Sequence, residues 1–232
     1  MKNKNIITNP FGTNLFGTNP FGRLVALLTM VSLILSVTGC SGSAPEIGEY
    51  ISLGGYEWLV LDVEGKKALV LSKDILTIRA YDSAESNTTW EESDMREFLN
   101  GSFYENSFLD KEKAKIAETR NVNSPNPWYN TPGGIDTVDK IFLLSVDEVV
   151  KYFGDSGALA DRLEEAALIY DEFDEARVAF DRGTEESRFW WLRTPGRGRR
   201  TMYVGDSGFI AVIGTHINTD RGGVRPALWV YF

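Results

Sequence analysis

Residues 56–76, "YEWLVLDVEGKKALVLSKDIL", contain two runs of valine and leucine on either side of "EGKK". Branched apolar residues favour strands and a glycine favours a bend, so this stretch predicts a β-hairpin. Residues 188–232 contain four further runs of this kind, "RFWWLR", "TMYVG", "FIAVIG" and "VRPALWVYF", separated by glycine-rich turns. Strands at both ends of a domain indicate an α+β fold in which the first hairpin pairs with the final strands.

The middle of the chain carries helix signals instead. Thr89 and Glu92, in "TTWEESDMREFLNGSF" (88–103), have the spacing of a capping box, and Gly101 is a stop signal. We therefore predict a helix that begins after Thr89 and ends at Gly101. A second, more polar helix is predicted over residues 107–119.

Residues 141–180 combine a predicted buried strand with further helices. The apolar run "IFLLS" (141–145) predicts the strand, and Ser145 with Glu148 has capping-box spacing for the helix that follows. Residues 158–180 are rich in acids and predict an amphipathic helix or a pair of helices. Because runs of charge usually face water, we expect these acids on a solvated surface.

The N-terminus has the features of a membrane address. Residues 24–37, "LVALLTMVSLILSV", are uncharged, and the run is shorter than the roughly 20 apolar residues of a spanning helix. This length fits the core of a signal peptide. The following "SVTGC" ends in Cys40, the single cysteine, and resembles a bacterial lipobox. The resemblance implies that Cys40 carries acyl chains; the alternative is an ordinary secretory signal with an accidental cysteine.

Three segments follow from this interpretation. Residues 1–39 are predicted to be a lipoprotein signal peptide, residues 40–49 a flexible tether that begins at the lipidated Cys40, and residues 50–232 a single globular domain. The protein is then expected at the extracytoplasmic face of the cell membrane, held by its lipid anchor. A single cysteine also excludes an internal disulfide and a cysteine-rich metal site.

Composition limits the classes of function. Hydrophobic residues make up 43% of the 232 residues and aromatic residues 12%, which is enough for a folded core. The net charge is −9, and residues 1–39 hold three basic residues and no acid, so the remainder carries −12. Such an excess of negative charge repels phosphate backbones and argues against nucleic acid as a general partner.

Six phrases occur in an order that is found in one bacterial family. They are "W..LD…ALVLSKDIL", "TTWEESDMREFLN..F", "D.IFLLSVDE", "FWWLRTPG", "YVGDSG" and "GGVRPALWV". Over residues 50–232 the chain therefore resembles the family called domain of unknown function 6273.

The end of the chain is also similar to the C-type-lectin-like fold, which includes formylglycine-generating enzymes and the variable receptor proteins of diversity-generating retroelements. The likeness rests on a strand with tryptophan and arginine, a glycine turn and the closing "GVRP" (223–226). It implies two helices, a small central antiparallel sheet and N- and C-terminal strands that pair. The copper-binding cysteines of the formylglycine-generating enzymes are missing, which argues against that activity.

Several residues in the terminal strands are expected to be structural. Neighbours in a strand point to opposite faces, so one of Trp190 and Trp191 should enter the core and the other should meet the opposite surface or a second layer. Arg193 and Arg225 adjoin apolar strand residues, where we expect ion pairs that lock the scaffold; binding of an anionic ligand is the alternative. The structural set is Trp190, Trp191, Arg193, Arg225, Pro226 and Trp229.

Three loops supply candidate ligand contacts. The proline- and glycine-rich loop 121–136 carries two aromatic residues, which are either pinned to the core or offered to a ligand. The segment "TPGRGRR" (194–200) is a basic turn in an acidic domain, and "GTHINTDRGG" (214–223) is rich in turn residues. The candidate contacts are Trp128, Tyr129, Arg197, Arg199, Arg200, His216, Asp220 and Arg221.

Catalytic and metal signals are weak. His216 is the single histidine, no "GxSxG" precedes it, and a zinc site would need more histidines or cysteines. Calcium can use oxygen ligands alone, so "GDSG" (205–208) and "NTD" (218–220) leave calcium open, although neither has EF-hand spacing. A non-enzymatic binding module for a surface protein or a cell-wall glycan is favoured. The alternatives are a hydrolase of envelope polymers with an unlocated carboxylate pair, and a structural role.

Overall fold

Mostly antiparallel sheets and short helices form an α+β architecture in the computed structural model, which describes residues 44–83, 88–162 and 167–232. The predicted signal peptide (1–39) and Cys40 lie outside the described residues. In chain order the strands are β1 (Tyr50–Leu53), β2 (Tyr56–Glu64), β3 (Lys67–Ser72), β4 (Thr77–Ile78), β5 (Ile116–Ala117), β6 (Thr119–Asn121), β7 (Thr137–Asp139), β8 (Leu168–Ile169), β9 (Trp190–Pro195), β10 (Arg200–Val204), β11 (Ile210–His216), β12 (Gly223–Val224) and β13 (Ala227–Tyr231). The helices are α1 (Asp94–Phe98), α2 (Tyr104–Ser107), α3 (Asp110–Lys113), α4 (Val146–Phe153), α5 (Ala158–Asp161) and α6 (Asp174–Arg177).

The first sheet joins the two ends of the domain. Its strand order is β1-β2-β3-β13-β5, and β13 pairs with β3 from Ala227 opposite Leu71 to Tyr231 opposite Lys67. The predicted hairpin and its pairing with the final strand are therefore confirmed. The turn at residues 46–49 also bonds to β2, since the Gly48 amide donates to the Val60 carbonyl at 2.8 Å.

The second sheet has the order β4-β12-β9-β10-β11-β8, and all six residues of the inner strand β9 are buried. Trp190 and Trp191 are both fully buried, because this part of the sheet is covered on both faces. The Trp190 indole donates to the Arg177 carbonyl at 3.1 Å, and the Trp191 indole donates to the Arg79 carbonyl at 3.0 Å. Side chains of both sheets, α1 and α4 share one hydrophobic core.

Arg193 forms the predicted ion pair. Its side chain is 4% exposed and donates to both carboxylate oxygens of Glu148, at 3.1 Å for the longer bond, and to the Leu143 carbonyl at 2.7 Å. Glu148 also caps α4 with Ser145, as predicted. One carboxylate thus fixes both the start of α4 and the buried guanidinium of β9.

The ion pair predicted for Arg225 is wrong. Within the described residues no carboxylate pairs with it; its guanidinium donates to the carbonyls of Ser72 at 3.0 Å and Arg177 at 3.4 Å and lies 5.1 Å from the Trp190 ring. Burial lowers the pKa of Arg225 to about 10, because the charged form loses its hydration. Pro226 is buried beside it and accepts the Ser72 amide at 2.9 Å. Trp229 of β13 is buried, and the Lys67 ammonium lies 5.0 Å from the centre of the Trp229 ring.

The helix predicted to begin after Thr89 begins later. Ser93 is the N-cap of α1 and accepts the Arg96 amide, whereas Trp90 lies in a turn. At Gly101 the chain kinks, since its backbone angles are non-helical (φ −107°, ψ −106°), and the segment Leu99–Phe103 around it connects α1 to α2. The predicted break at Gly101 is therefore confirmed.

A buried carboxylate explains why the chain turns before α1. Asp139 of β7 accepts hydrogen bonds from the Trp90 indole at 2.9 Å, Asn121 at 2.8 Å and Thr137 at 2.6 Å, and pairs with Arg96 at 2.6 Å. Four satisfied contacts offset the cost of burying this charge. They also hold Trp90 outside the helix that the local sequence favours.

Two other helix predictions were too long, and one strand prediction was wrong. Residues 107–119 contain the single turn α3 and then strands, while residues 141–145 are buried but form one isolated bridge, Phe142 with Ala227. Within 158–180 the described residues form α5, β8 and α6. No helix within the described ranges is long and apolar enough to cross a bilayer.

The acids of residues 158–180 do not all face water. Arg177 is fully buried, and its guanidinium forms two bonds to Asp171, at 2.7 and 2.8 Å, and one to Asp174 at 3.2 Å. Burial alone would raise the pKa of Asp171, but hydrogen bonds from Arg177 lower it. Burial raises the pKa of Asp174. The expected solvated face therefore contains an internal ion-pair cluster.

Candidate functional site

The turn between β9 and β10 is held against β11 by close backbone contacts. The Arg197 amide donates to the Ile213 carbonyl at 2.9 Å. In the antiparallel backbone register of β10 and β11, Arg200 lies opposite His216. A Cβ on Gly196 would lie 2.6 Å from the Ile213 carbonyl, and one on Gly214 would lie 2.3 Å from the Thr201 carbonyl. The two glycines therefore allow the basic turn to lie directly on β11.

Asn126 attaches the aromatic loop to the same two strands. Its side-chain amide is buried and donates to the carbonyls of Pro195 at 2.8 Å and Val212 at 2.9 Å. Its side-chain oxygen accepts the amides of Trp128 at 2.9 Å and Tyr129 at 3.0 Å. One side chain thus joins loop 121–136 to β9 and β11 with two hydrogen bonds and fixes the aromatic pair within the loop with two more.

Trp128 and Tyr129 occupy different positions after this anchor. Both are half-buried and pack against the core, and the Trp128 indole donates to the Leu159 carbonyl at 2.7 Å. Tyr129 lies under the basic turn, with its ring 5.5 Å from the guanidinium of Arg197. Arg162 also donates to the Pro127 carbonyl in this loop. Trp128 is therefore pinned, and Tyr129 supports an exposed arginine.

The segment after β11 completes the surface. The Ile217 amide donates to the Arg199 carbonyl at 3.4 Å, and His216 lies opposite Arg200, so the start of this segment lies beside the basic turn. His216, Asp220 and Arg221 are exposed. The structure thus brings together all three loops that carry the predicted contacts. We call the following six residues the arginine surface: Tyr129, Arg197, Arg199, Arg200, His216 and Arg221.

His216 is not arranged as a catalytic base. Its imidazole forms no hydrogen bond with another described residue, and the side chain lies at the open end of β11. Among the residues with described positions, no group of three or more histidine, cysteine or acidic side chains could hold a metal ion. Asp206 and Asp220, the acids of the two calcium candidates, lie in separate turns.

A cavity of about 400 Å³ lies on a different part of the surface, beside α1. Hydrogen bonds from Ser83 lower the pKa of Asp94 in its wall, with a smaller contribution from the charge of Arg79. An ionised Asp94 is unsuited to general-acid chemistry near neutral pH, which needs a raised pKa. The lining residues are Arg79, Asp94, Glu97, Phe98, Gly101 and Ser102.

Sequence reasoning missed Asn126 and Arg79, which build these two features. Asn126 lies between Pro125 and Pro127, directly before the aromatic pair. A polar residue with turn-forming capacity between two prolines is a local signal for a fixed loop. Arg79 carries no comparable signal.

The comparisons with known proteins give one match. The family model described as "Domain of unknown function (DUF6273)" matches residues 65–232. No curated protein and no solved structure matches the chain. The match spans β3 to β13 and includes the arginine surface and the cavity.

Proposed function

We propose that this chain, which belongs to the DUF6273 family, is a lipid-anchored bacterial surface protein whose folded domain is a non-catalytic binding module. Its ligand is a cell-wall glycan that carries acidic groups. Residues 24–37 and Cys40 support the anchor, since they have the length and order of a lipoprotein signal. The protein would then act at the extracytoplasmic face of the cell membrane.

The observation that carries the binding role is the arginine surface. Arg197 and Arg221 are exposed on loops. Backbone hydrogen bonds and the buried side chain of Asn126 hold these loops in place. Arginine binds carboxylate and phosphate groups in fixed geometry, and a preorganised loop loses little entropy on binding. In a domain that carries excess negative charge, such a surface selects ligands by local attraction.

We propose a C-type-lectin-like scaffold for this module. The pairing of β3 with β13 supports it, because that fold joins its N- and C-terminal strands in one sheet. The exposed loops of the second sheet would then form the binding face. A solved structure of the domain would test this assignment, which would be wrong if its strand connections differed from those of the lectin-like fold.

The experiment is an array of purified cell-wall polymers probed with the full chain in detergent, with and without calcium. We expect binding to acidic polymers, falling at least about ten-fold in Arg197→Glu/Arg221→Glu because two attractive charges become repulsive. Lys66→Glu/Lys111→Glu is the matched control, since it makes the same charge change at two exposed lysines outside the arginine surface.

Four results would contradict the proposal. Absence of binding to any wall polymer, or equal losses in both double variants, would remove the arginine surface as the site. Binding to a surface protein, with no polymer bound, would mean that the ligand is a protein and not a glycan. Retention of Cys40→Ala in the membrane fraction would remove the lipid anchor.

A hydrolase of envelope polymers is the second candidate, because Asp94 and Glu97 line the same cavity. Two carboxylates across a cleft are what glycoside hydrolysis requires. The lowered pKa of Asp94 weighs against a general acid at that position. Turnover of a wall polymer by the wild type, lost in Glu97→Gln, would establish this function in place of the binding module.

A further inference from the structure

The cavity beside α1 has a charged donor without an acceptor. The guanidinium of Arg79 forms no hydrogen bond with any described residue, and its Nε is buried without a partner. The group lies 4.1 Å from the centre of the Phe98 ring. The Nε atoms of Arg177, Arg188 and Arg193 are also buried without a hydrogen-bond partner, but those guanidiniums form ion pairs with carboxylates of the fold. Arg79 differs, because none of its side-chain donors is used by a described residue, which leaves the guanidinium available to an anionic group.

The backbone holds Arg79 firmly in this position. Its amide donates to the Gly222 carbonyl at 3.0 Å, and its carbonyl accepts the indole of buried Trp191 at 3.0 Å. With both backbone groups used and the side chain stacked on Phe98, the guanidinium has little freedom to reach another partner. Its donors are preorganised for an anionic group in the cavity.

The same cavity offers acceptors for a positive group. Asp94 is held by the Ser83 amide at 2.8 Å, and hydrogen bonds from Ser83 keep its pKa low, so it is ionised at neutral pH. Glu97, one helical turn further, is exposed, and its carboxylate accepts no hydrogen bond from the described part of the chain. A simple anion would be repelled by these two carboxylates, and a simple cation would be repelled by Arg79.

The cavity is open beside the kink at Gly101 that separates α1 from α2. A Cβ on Gly101 would meet no atom within 4 Å, so the surface is accessible at this point. Its volume of about 400 Å³ is large enough for a small molecule, which would lie in an open depression of the surface.

From these contacts we propose that the cavity lined by Arg79, Asp94 and Glu97 binds a zwitterion of amino-acid or dipeptide size. Its carboxylate pairs with the Arg79 guanidinium, its ammonium group lies between Asp94 and Glu97, and its side chain contacts Phe98. This site uses none of the residues of the arginine surface, so it does not rest on polymer binding.

The test is calorimetric titration of the full chain in detergent with alanylalanine, its methyl ester and its N-acetyl derivative. We expect alanylalanine to bind and each blocked form to bind at least about ten-fold more weakly, because each loses one charge-assisted pair. Arg79→Met and Glu97→Gln should each weaken alanylalanine binding by a similar factor. Glu92→Gln, an equally exposed acid that does not line the cavity, should leave it unchanged.

Three outcomes would overturn the proposal. The first is no heat of binding for alanylalanine at about 10 mM, the range in which even weak sites fill. The second is equal binding of the free and blocked forms, and the third is equal binding by wild type and Glu97→Gln. Because Glu97 is exposed, its variant tests the site even where Arg79→Met fails to fold.

Discussion

The buried end of β9 and the turn that follows it use arginine in opposite ways. Arg193 has its donors directed at Glu148 and the Leu143 carbonyl, and 4% of its side chain is exposed. Arg197, four residues later, is exposed and contacts the ring of Tyr129. The first arginine joins two elements of the scaffold, and the second is available to a ligand.

The difference shows that the setting of an arginine, and not its place in a basic run, determines its role. Buried Arg177, Arg193 and Arg225 lie among apolar residues and have their acceptors within the fold. Arg197 lies between two glycines in a turn that begins after Pro195, and no neighbouring side chain in the turn covers it. Three variants test this comparison: one at an arginine that is buried in an ion pair, one at an arginine that is buried against carbonyls, and one at an exposed arginine.

The largest effect is expected for Arg177→Met. This substitution leaves Asp171, which is 5% exposed, and Asp174 without their cation. We expect the free energy of unfolding to fall by about 4 kcal/mol, the usual cost of breaking a buried pair from one side. Urea unfolding followed by tryptophan fluorescence measures it.

The double variant Arg177→Met/Asp171→Asn is the control for that loss. It removes the guanidinium and the more buried of its two carboxylates, leaving Asp174, so it should be more stable than Arg177→Met alone. A single variant as stable as the wild type would show that the cluster contributes nothing, and the distinction between buried and exposed arginines would lose its main support.

A smaller, pH-dependent effect is expected for Arg225→Met. The folded-state pKa of Arg225 is lowered from 12.5 to about 10, so above pH 10 the folded protein loses a proton that the unfolded chain keeps. Stability contributed by this group therefore rises with pH. Relative to Arg225→Met, the wild type should gain about 1 kcal/mol between about pH 8 and pH 11.

Unfolding of both proteins at the two pH values gives this difference, and the other titrating groups cancel because both proteins share them. A gap that stays constant or narrows with pH would mean that Arg225 is paired with an anion after all. The carbonyl contacts of Arg225 would then not be its main stabilising contacts in the folded protein.

The smallest effect on stability is expected for Arg197→Met. An exposed side chain with one ring contact should change the free energy of unfolding by no more than about 0.5 kcal/mol. The same urea measurement applies. A loss above about 2 kcal/mol would place Arg197 in the scaffold with Arg193 and would remove the contrast between the two regions.

The sequence predicts those elements whose signals are local. The valine-rich hairpin and the terminal strands have alternating or fully apolar runs, and the Ser145–Glu148 capping box forms where predicted. Thr89 and Glu92 have the same spacing but do not begin a helix. There, the Trp90 indole bonds to Asp139, 49 residues away, and this buried contact overrides the local preference.

The residues that build the candidate sites were predicted in part. The exposed loops were found because arginine, glycine and proline mark a turn without burial. The roles of Asn126 and Arg79 were missed, because their partners are distant in the chain: Asn126 bonds to Val212, 86 residues away, and the Arg79 carbonyl accepts the Trp191 indole, 112 residues away. No spacing rule predicts such contacts before the fold is known.

The hydrogen bonds of Asn126 have a consequence for how this surface varies. The residue that sets the path of the aromatic loop is buried, while the side chain of Tyr129 beside it reaches the surface. Under the proposed binding role, an exchange at position 129 would change the exposed surface while the hydrogen bonds of Asn126 keep the path of the backbone. The chemistry of the surface and the shape of the loop are thus set by different residues.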